Sequence, residues 1–390
     1  MSGAEAIRGM LLAVPIALLL SGVGGGRPWL RWLVLPLAAA TGVAVTGLLP
    51  AGILGYLVSF ALMASIYGVL TLGLNVQWGY TGLFNIGVAA FFAVGAFVTA
   101  LVTTTMPTGP MAAFATQALG LGAPFLVGVV AAGAASAAVA WVIARPTLRL
   151  RDDYLAIATI GIAEVVRLVF QNERWLANGP QPLRGIPQPL GCLVSSDGCA
   201  FLPAFANAWF APLSPRDYPY VYLAVVAVLL TLTFVLLERM IESPWGRVLR
   251  AVREEESSAR MNGKDAASFK VQAFVIGAAV MGVGGSLYAH YMVSIDYSHF
   301  DPLYATFLIW VMLMLGGSGN NRGAILGAFV IWGIWTGTAS LVDTLRPALA
   351  AISPELPARG PYLRFLFISL LFLAILRFRP QGLIGERRRT

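Results

Sequence analysis

Between Glu238 and Lys270 the chain reads ERMIESPWGRVLRAVREEESSARMNGKDAASFK, with seven basic and six acidic side chains in 33 residues. On either side lie apolar runs, Tyr220–Leu237 and Val271–Met292, each close to the ~20 residues that a helix needs to cross a hydrocarbon core of ~30 Å. A charged insert between two membrane-length runs predicts spanning helices joined by a loop in water.

The same alternation covers the chain. Hydrophobic residues make up 58% and charged ones 11%, whereas a soluble domain carries about 25% charged residues. Ten runs are expected to form helices: Leu33–Leu48, Ile53–Asn75, Leu83–Thr104, Pro124–Ala144, Tyr154–Gln171, Tyr220–Leu237, Val271–Met292, Leu303–Leu315, Ala324–Leu341 and Tyr362–Phe378. An eleventh candidate, Met10–Leu20, is read as an uncleaved first helix, because no A-x-A-type cleavage site follows it. The expected fold class is an all-α polytopic membrane protein with about 10–11 transmembrane helices.

Lys and Arg set the orientation, since positively charged short loops stay on the cytoplasmic side. With the C-terminus inside, eighteen of the twenty-six cationic residues fall on that face, including the seven of Glu238–Lys270 and Arg145, Arg149, Arg151, Arg322, Arg377 and Arg379. Six fall opposite: Arg174, Arg184, Arg216, Arg346, Arg359 and Arg364. The net charge of +8 therefore reflects topology and anionic lipid, and no nucleic acid is invoked.

The charge count sends the loop Asn172–Pro219 outside, where disulfides persist. That loop holds the chain's two cysteines, Cys192 and Cys199, which are the disulfide candidate.

No catalytic, cofactor-binding or metal-binding residues are expected. The two lysines, Lys264 and Lys270, lie outside any G-x-x-x-x-G-K-[ST] context that would cradle a triphosphate. The histidines, His290 and His299, are nine positions apart and lack the spacing of a metal site.

Two glycine-dense segments, Gly73–Gly95 and Leu315–Gly323, are candidates for broken or short helices around a central pathway, where unwound backbone is tolerated if buried or facing water. Asn85, in the first, is a pathway candidate. Glu164 and Arg167 are three apart on one helix face and can pair. As ionisable groups within a span they either line the pathway or form a structural ion pair near its outer end.

Several stretches together resemble a known family: Leu74–Phe97, Tyr154–Arg167, Gly246–Gly263, Met314–Gly323 and Arg379–Ile384. In this order they are similar to the LivM-type membrane subunits of branched-chain amino-acid ABC importers, from about Gly55 to Ile384. Val88 departs from the pattern, because many relatives have His there. The stretch Asn178–Pro187 is looser than the family's usual turn, so the urea and short-chain amide branch stays open. A self-sufficient secondary transporter is a further alternative; it would need intramembrane ionisable groups, of which the chain offers mainly Glu164 and Arg167.

The resemblance implies a permease domain over 51–384 with a cytoplasmic coupling loop at 238–270, preceded by membrane segments in 1–50 and followed by a basic cytoplasmic tail, 385–390. It also implies partners: a LivH-type permease, two cytoplasmic ATPases that bind the ATP, and an extracytoplasmic binding protein, in a bacterial inner membrane. The coupling motif of such importers is similar to Arg253, Glu254, Glu255, Glu256, Ser257, Ser258 and Ala259, ending at Gly263, with the two serines replacing alanines. Gly263 is expected to end that helix, because glycine takes the left-handed backbone found there.

Overall fold

Lipid offers the backbone no hydrogen-bond partners, so apolar runs this long fold as helices that satisfy themselves internally. In the computed structural model, the described residues are 3–23, 41–42, 44–48, 50–108, 116–148, 150–195, 199, 203, 207–208, 210–352, 359, 362–379 and 381–385. Half of the expected run Leu33–Leu48, together with Arg149 and residues 386–390 of the basic tail, lies outside them.

The helices are α1 (Gly3–Val23), α2 (Ala51–Leu74), α3 (Val88–Thr103), α4 (Phe125–Thr147), α5 (Asp152–Asn172), α6 (Tyr218–Glu242), α7 (Pro244–Glu254), α8 (Glu256–Met261), α9 (Ala266–Met292), α10 (Phe307–Gly316), α11 (Asn321–Ile352) and α12 (Leu363–Phe378). Nine of the expected runs coincide with helices. Among the described residues, five helical stretches are long and apolar enough to cross a membrane: Ala51–Gly79, Phe125–Thr147, Pro215–Glu242, Ala266–Met292 and Asn321–Pro347. Val88–Thr103, Phe307–Gly316 and Leu363–Ile375 are apolar but shorter. The chain is an all-α polytopic membrane protein.

Helix boundaries differ from the expected runs by several residues. α9 starts at Ala266, five residues before the expected Val271, because the Asp265 carboxylate accepts the Ser268 N–H at 3.3 Å and satisfies one of the first-turn donors. α3 starts at Val88, five residues after Leu83.

The chain forms two compact units, Met1–Ser65 with Pro187–Val235, and Ile66–Ile186 with Leu236–Thr390. In the first, residues 41–42 and 44–48 are helical and cross α1 closely: a Cβ on Gly42 would fall on the Gly9 carbonyl. Arg8 pairs with Asp217 at 2.7 Å, which puts the start of α1 beside the start of α6, a relation that charge counting left unresolved.

In the second unit, glycines let helix backbones touch, as helix association in lipid requires. A Cβ on Gly95 would strike the Gly282 carbonyl, and one on Gly285 would reach the Ala96 nitrogen at 2.8 Å, which binds α3 to α9. α4 meets α9 at the same glycine, where a Cβ on Gly282 would lie 2.6 Å from the Ala132 carbonyl. A two-residue antiparallel pairing, Leu183 with Ile295 and Arg184 with Ser294, joins the segments that follow α5 and α9.

Candidate functional site: two broken helices and a polar hairpin

The first break begins where α2 loosens into a π-helix over Asn75–Gly79, with the Tyr80 N–H reaching back five residues to the Asn75 carbonyl at 3.0 Å. Turns of this kind concentrate at functional sites. The chain leaves the helix at Gly82, whose φ of +77° suits glycine, and runs without regular structure to α3. The N–H groups of Gly82, Leu83 and Asn85 find backbone carbonyls, and side chains satisfy the rest of the network around it. Gln77 Nε2 donates to the Phe274 carbonyl at 2.7 Å, and Asn85 Nδ2 donates to Gln77 Oε1 at 2.6 Å. Asn85 Oδ1 accepts the Gly87 N–H at 2.7 Å, while Thr159 and Thr306 hydroxyls accept the N–H groups of Ile86 and Ala89. Asn75, Gln77 and Asn85 are fully buried. The pathway candidate Asn85 thus ties the unwound segment to the π-helix and to the first turn of α3.

The second break separates α10 from α11 at Gly317-Ser-Gly-Asn320. Ten residues give α10 a length of about 15 Å, roughly half a hydrocarbon core. Its last carbonyls are met by backbone: Leu383 N–H donates to Leu315 at 2.8 Å and Ile384 N–H to Gly316 at 3.0 Å. The two breaks meet. Asn75 Nδ2 donates to Asn321 Oδ1, the Gly319 N–H donates to Asn75 Oδ1, and Asn321 Nδ2 donates to Glu238 Oε2, each at 2.9 Å.

The polar stretch forms a hairpin of two helices, α7 and α8, that part at Glu255. Glu255 is extended, with φ −155°; its N–H closes α7 on the Ala251 carbonyl and its own carbonyl accepts the Ala259 N–H at 3.2 Å. Val252, Ala259 and Ala266 are buried together under the hairpin. Gly263 ends α8 with φ +71°: its N–H bonds to the Arg260 carbonyl and the Lys264 N–H to that of Ala259, the paired closure of a Schellman motif.

Of the coupling candidates, Glu254, Glu255, Ser257 and Ser258 are exposed, Glu256 and Arg253 are half-buried, and Ala259 is buried. Glu256 bonds both Arg260 and Lys270 at 2.6 Å. Burial raises its carboxyl pKa, but the hydrogen bonds and charge of Lys270 and Arg260 outweigh this and hold it below the usual range. Arg253 turns inward, and its guanidinium donates to the Gly79 carbonyl. Met261, 88% exposed at the end of α8, is not among the residues the sequence pattern singles out; the signal is an apolar residue among the polar ones before Gly263.

Glu164 and Arg167 form the expected pair, with Arg167 Nε on Glu164 Oε2 at 2.9 Å and a second contact between Nη2 and Oε1. The guanidinium also lies 5.8 Å from the Tyr297 ring centre. Cys192 and Cys199 are joined by a disulfide, with Cα atoms 4.9 Å apart. Among the described residues no group of three His, Cys, Asp or Glu is placed to hold a metal.

A family model described as "Branched-chain amino acid transport system / permease component" matches residues 56–376. The chain belongs to this family. The permease is 31% identical to the Salmonella typhimurium "High-affinity branched-chain amino acid transport system permease protein LivM" over 85% of its own length and 70% of that protein's. It is 27% identical to the "Probable branched-chain amino acid transport permease protein LivM" of Methanocaldococcus jannaschii, covering 83% of the permease and 91% of the relative. A LivH permease of Escherichia coli is 23% identical over 83% and 92%. No solved structure matches the chain.

Proposed function

We propose that this permease is the LivM-type subunit of a binding-protein-dependent ABC importer that carries branched-chain or related amino acids across a bacterial inner membrane. It forms the pathway with a LivH-type permease, takes substrate from an extracytoplasmic binding protein and works by alternating access. The ATP is held by two cytoplasmic ATPases, and this chain supplies no catalytic group. Its C-terminus and the α7–α8 hairpin face the cytoplasm, and the Cys192–Cys199 loop faces outside.

The observation that carries this reading is the hairpin itself. One side is packed through Val252 and Ala259, and the other presents Glu254, Glu255, Ser257, Ser258 and Met261 to solvent. A chain with two broken helices has a pathway to move, and the hairpin offers the handle. Met261 is the anchor, because an isolated exposed apolar side chain gains most when a partner covers it.

The test is a reconstituted importer with Met261→Glu and Ser258→Trp. Both are expected to reach the membrane, lose the ATPases on purification and stop leucine uptake into proteoliposomes. Parental association and uptake in both would overturn the docking assignment.

A further inference from the structure

Five of the coupling candidates, Glu254, Glu255, Ser257, Ser258 and Gly263, are exposed on the hairpin, and one is a connection. Arg253 is the connection. Its guanidinium donates to the carbonyl of Gly79, the last residue of the π-helix. A helix end leaves carbonyls without intrahelical partners, and a cation there is favoured by the partial negative charge they carry.

The break is shaped to admit this side chain. A Cβ on Gly82 would stand 3.2 Å from Arg253 Cγ, so the stem lies against a residue that has no side chain. At Gly79 a Cβ would be 2.5 Å from the Gly319 nitrogen, so both breaks and the guanidinium converge on one glycine. The ion pairs of Glu256 with Arg260 and with Lys270 link α8 to itself and to α9.

We propose that Arg253 is a positioning residue that transmits movement of the hairpin into the first break, by holding the Gly79 carbonyl in one state of the transport cycle and releasing it in the other. This rests on reading α7–α8 as the ATPase-docking element. Guanidinium chemistry suits such a link, because its planar fork keeps a fixed direction, whereas a lysine ammonium is a shorter-reaching point charge.

The experiment uses the complete importer in proteoliposomes with Arg253→Gln, Arg253→Lys and the docking variant Met261→Glu. It reads ATPase co-purification, leucine uptake, hydrolysis stimulated by loaded binding protein, and nucleotide-dependent hydrogen exchange across 79–87. Arg253→Gln is expected to change ATPase association by less than about twofold while uptake falls about tenfold, the size of an ordinary coupling free energy. The nucleotide-dependent change in exchange at 79–87 should vanish with it, and Arg253→Lys should recover part of both.

Loss of the ATPases in Arg253→Gln, as in Met261→Glu, would make Arg253 a docking residue and overturn the proposal. Parental uptake, or an unchanged exchange response, would overturn it too. If neither Arg253 variant accumulates in the membrane, the residue serves folding and the proposal fails. Parental behaviour of Met261→Glu alone would count against the docking surface and leave the Arg253 result readable.

Discussion

The two broken helices solve the same problem with different chemistry. In the first break, side chains take up backbone groups that a helix would have paired: Asn85, Thr159 and Thr306 accept the N–H groups of Gly87, Ile86 and Ala89, and Arg253 donates to the Gly79 carbonyl. In the second, backbone meets the end of α10, where Leu383 and Ile384 lie, and the Asn75 and Asn320 side chains accept the N–H groups that follow. A backbone cap is cooperative and carries no side chain that another element can withdraw. A side-chain cap depends on where each donor is held, and Arg253 is held by the hairpin. On the Arg253 proposal, the end of α2 is therefore the adjustable part, and the end of α10, held by backbone, is the fixed one.

The largest effect is expected where the two breaks share a residue. Asn75→Leu removes both bonds of a fully buried amide, to Asn321 and to Gly319, and orphaned buried polar groups cost about 1–3 kcal/mol each. Against a total stability of about 5–15 kcal/mol, the loss should lower both the yield of folded permease and its melting temperature. The check is the monodisperse fraction after detergent extraction. A parental yield and melting temperature would mean that the junction does not hold the breaks together.

A second pair of substitutions separates the fixed break from the adjustable one. Gly382 and Gly82 both have positive φ, +78° and +77°, so Ala at either carries the same strain of about 1–2 kcal/mol. At Gly382 the new Cβ would stand 2.5 Å from Gly317 Cα, which is backbone and cannot step aside. At Gly82 it would meet Arg253 Cγ at 3.2 Å, part of a flexible stem. Gly382→Ala should lower the melting temperature more, and Gly82→Ala should reduce uptake more. Equal falls in both quantities for both variants would erase the distinction.

The sequence carried the helices and hid how the breaks are joined. The segments Gly73–Gly95 and Leu315–Gly323 were legible as breaks because each joins a turn rich in Gly and Asn to an apolar, aromatic-bearing helix. That they meet through Asn75 and Asn321 was not legible, since the two residues are 246 positions apart and tertiary packing alone brings them together. The Glu164–Arg167 pair was readable from its three-residue spacing. The inward turn of Arg253 was not: Arg247, Arg250 and Arg253 share one helical side by spacing, and only the extended Glu255 and the neighbouring glycines set the last apart.

The smallest effect concerns the hairpin, the part of the adjustable break that faces water. Glu256 is held below its ordinary value of 4.5 by Lys270 and Arg260 despite its partial burial. A carboxylate with a depressed folded value contributes stability that is present above the unfolded value and lost as pH falls through the folded one. The α8 to α9 contact should therefore be unchanged at neutral pH and loosen only below 4.5. Trp245 reports on it locally, since its Nε1 donates to Gln272 Oε1 on α9 at 2.9 Å. With fluorotryptophan at this position, the fluorine resonance should shift as pH drops below 4.5, and Glu256→Gln should show the shifted position already at neutral pH. A resonance that stays put in both proteins would mean that the Glu256 pairs do not position α8, and that the buried Val252, Ala259 and Ala266 do so instead.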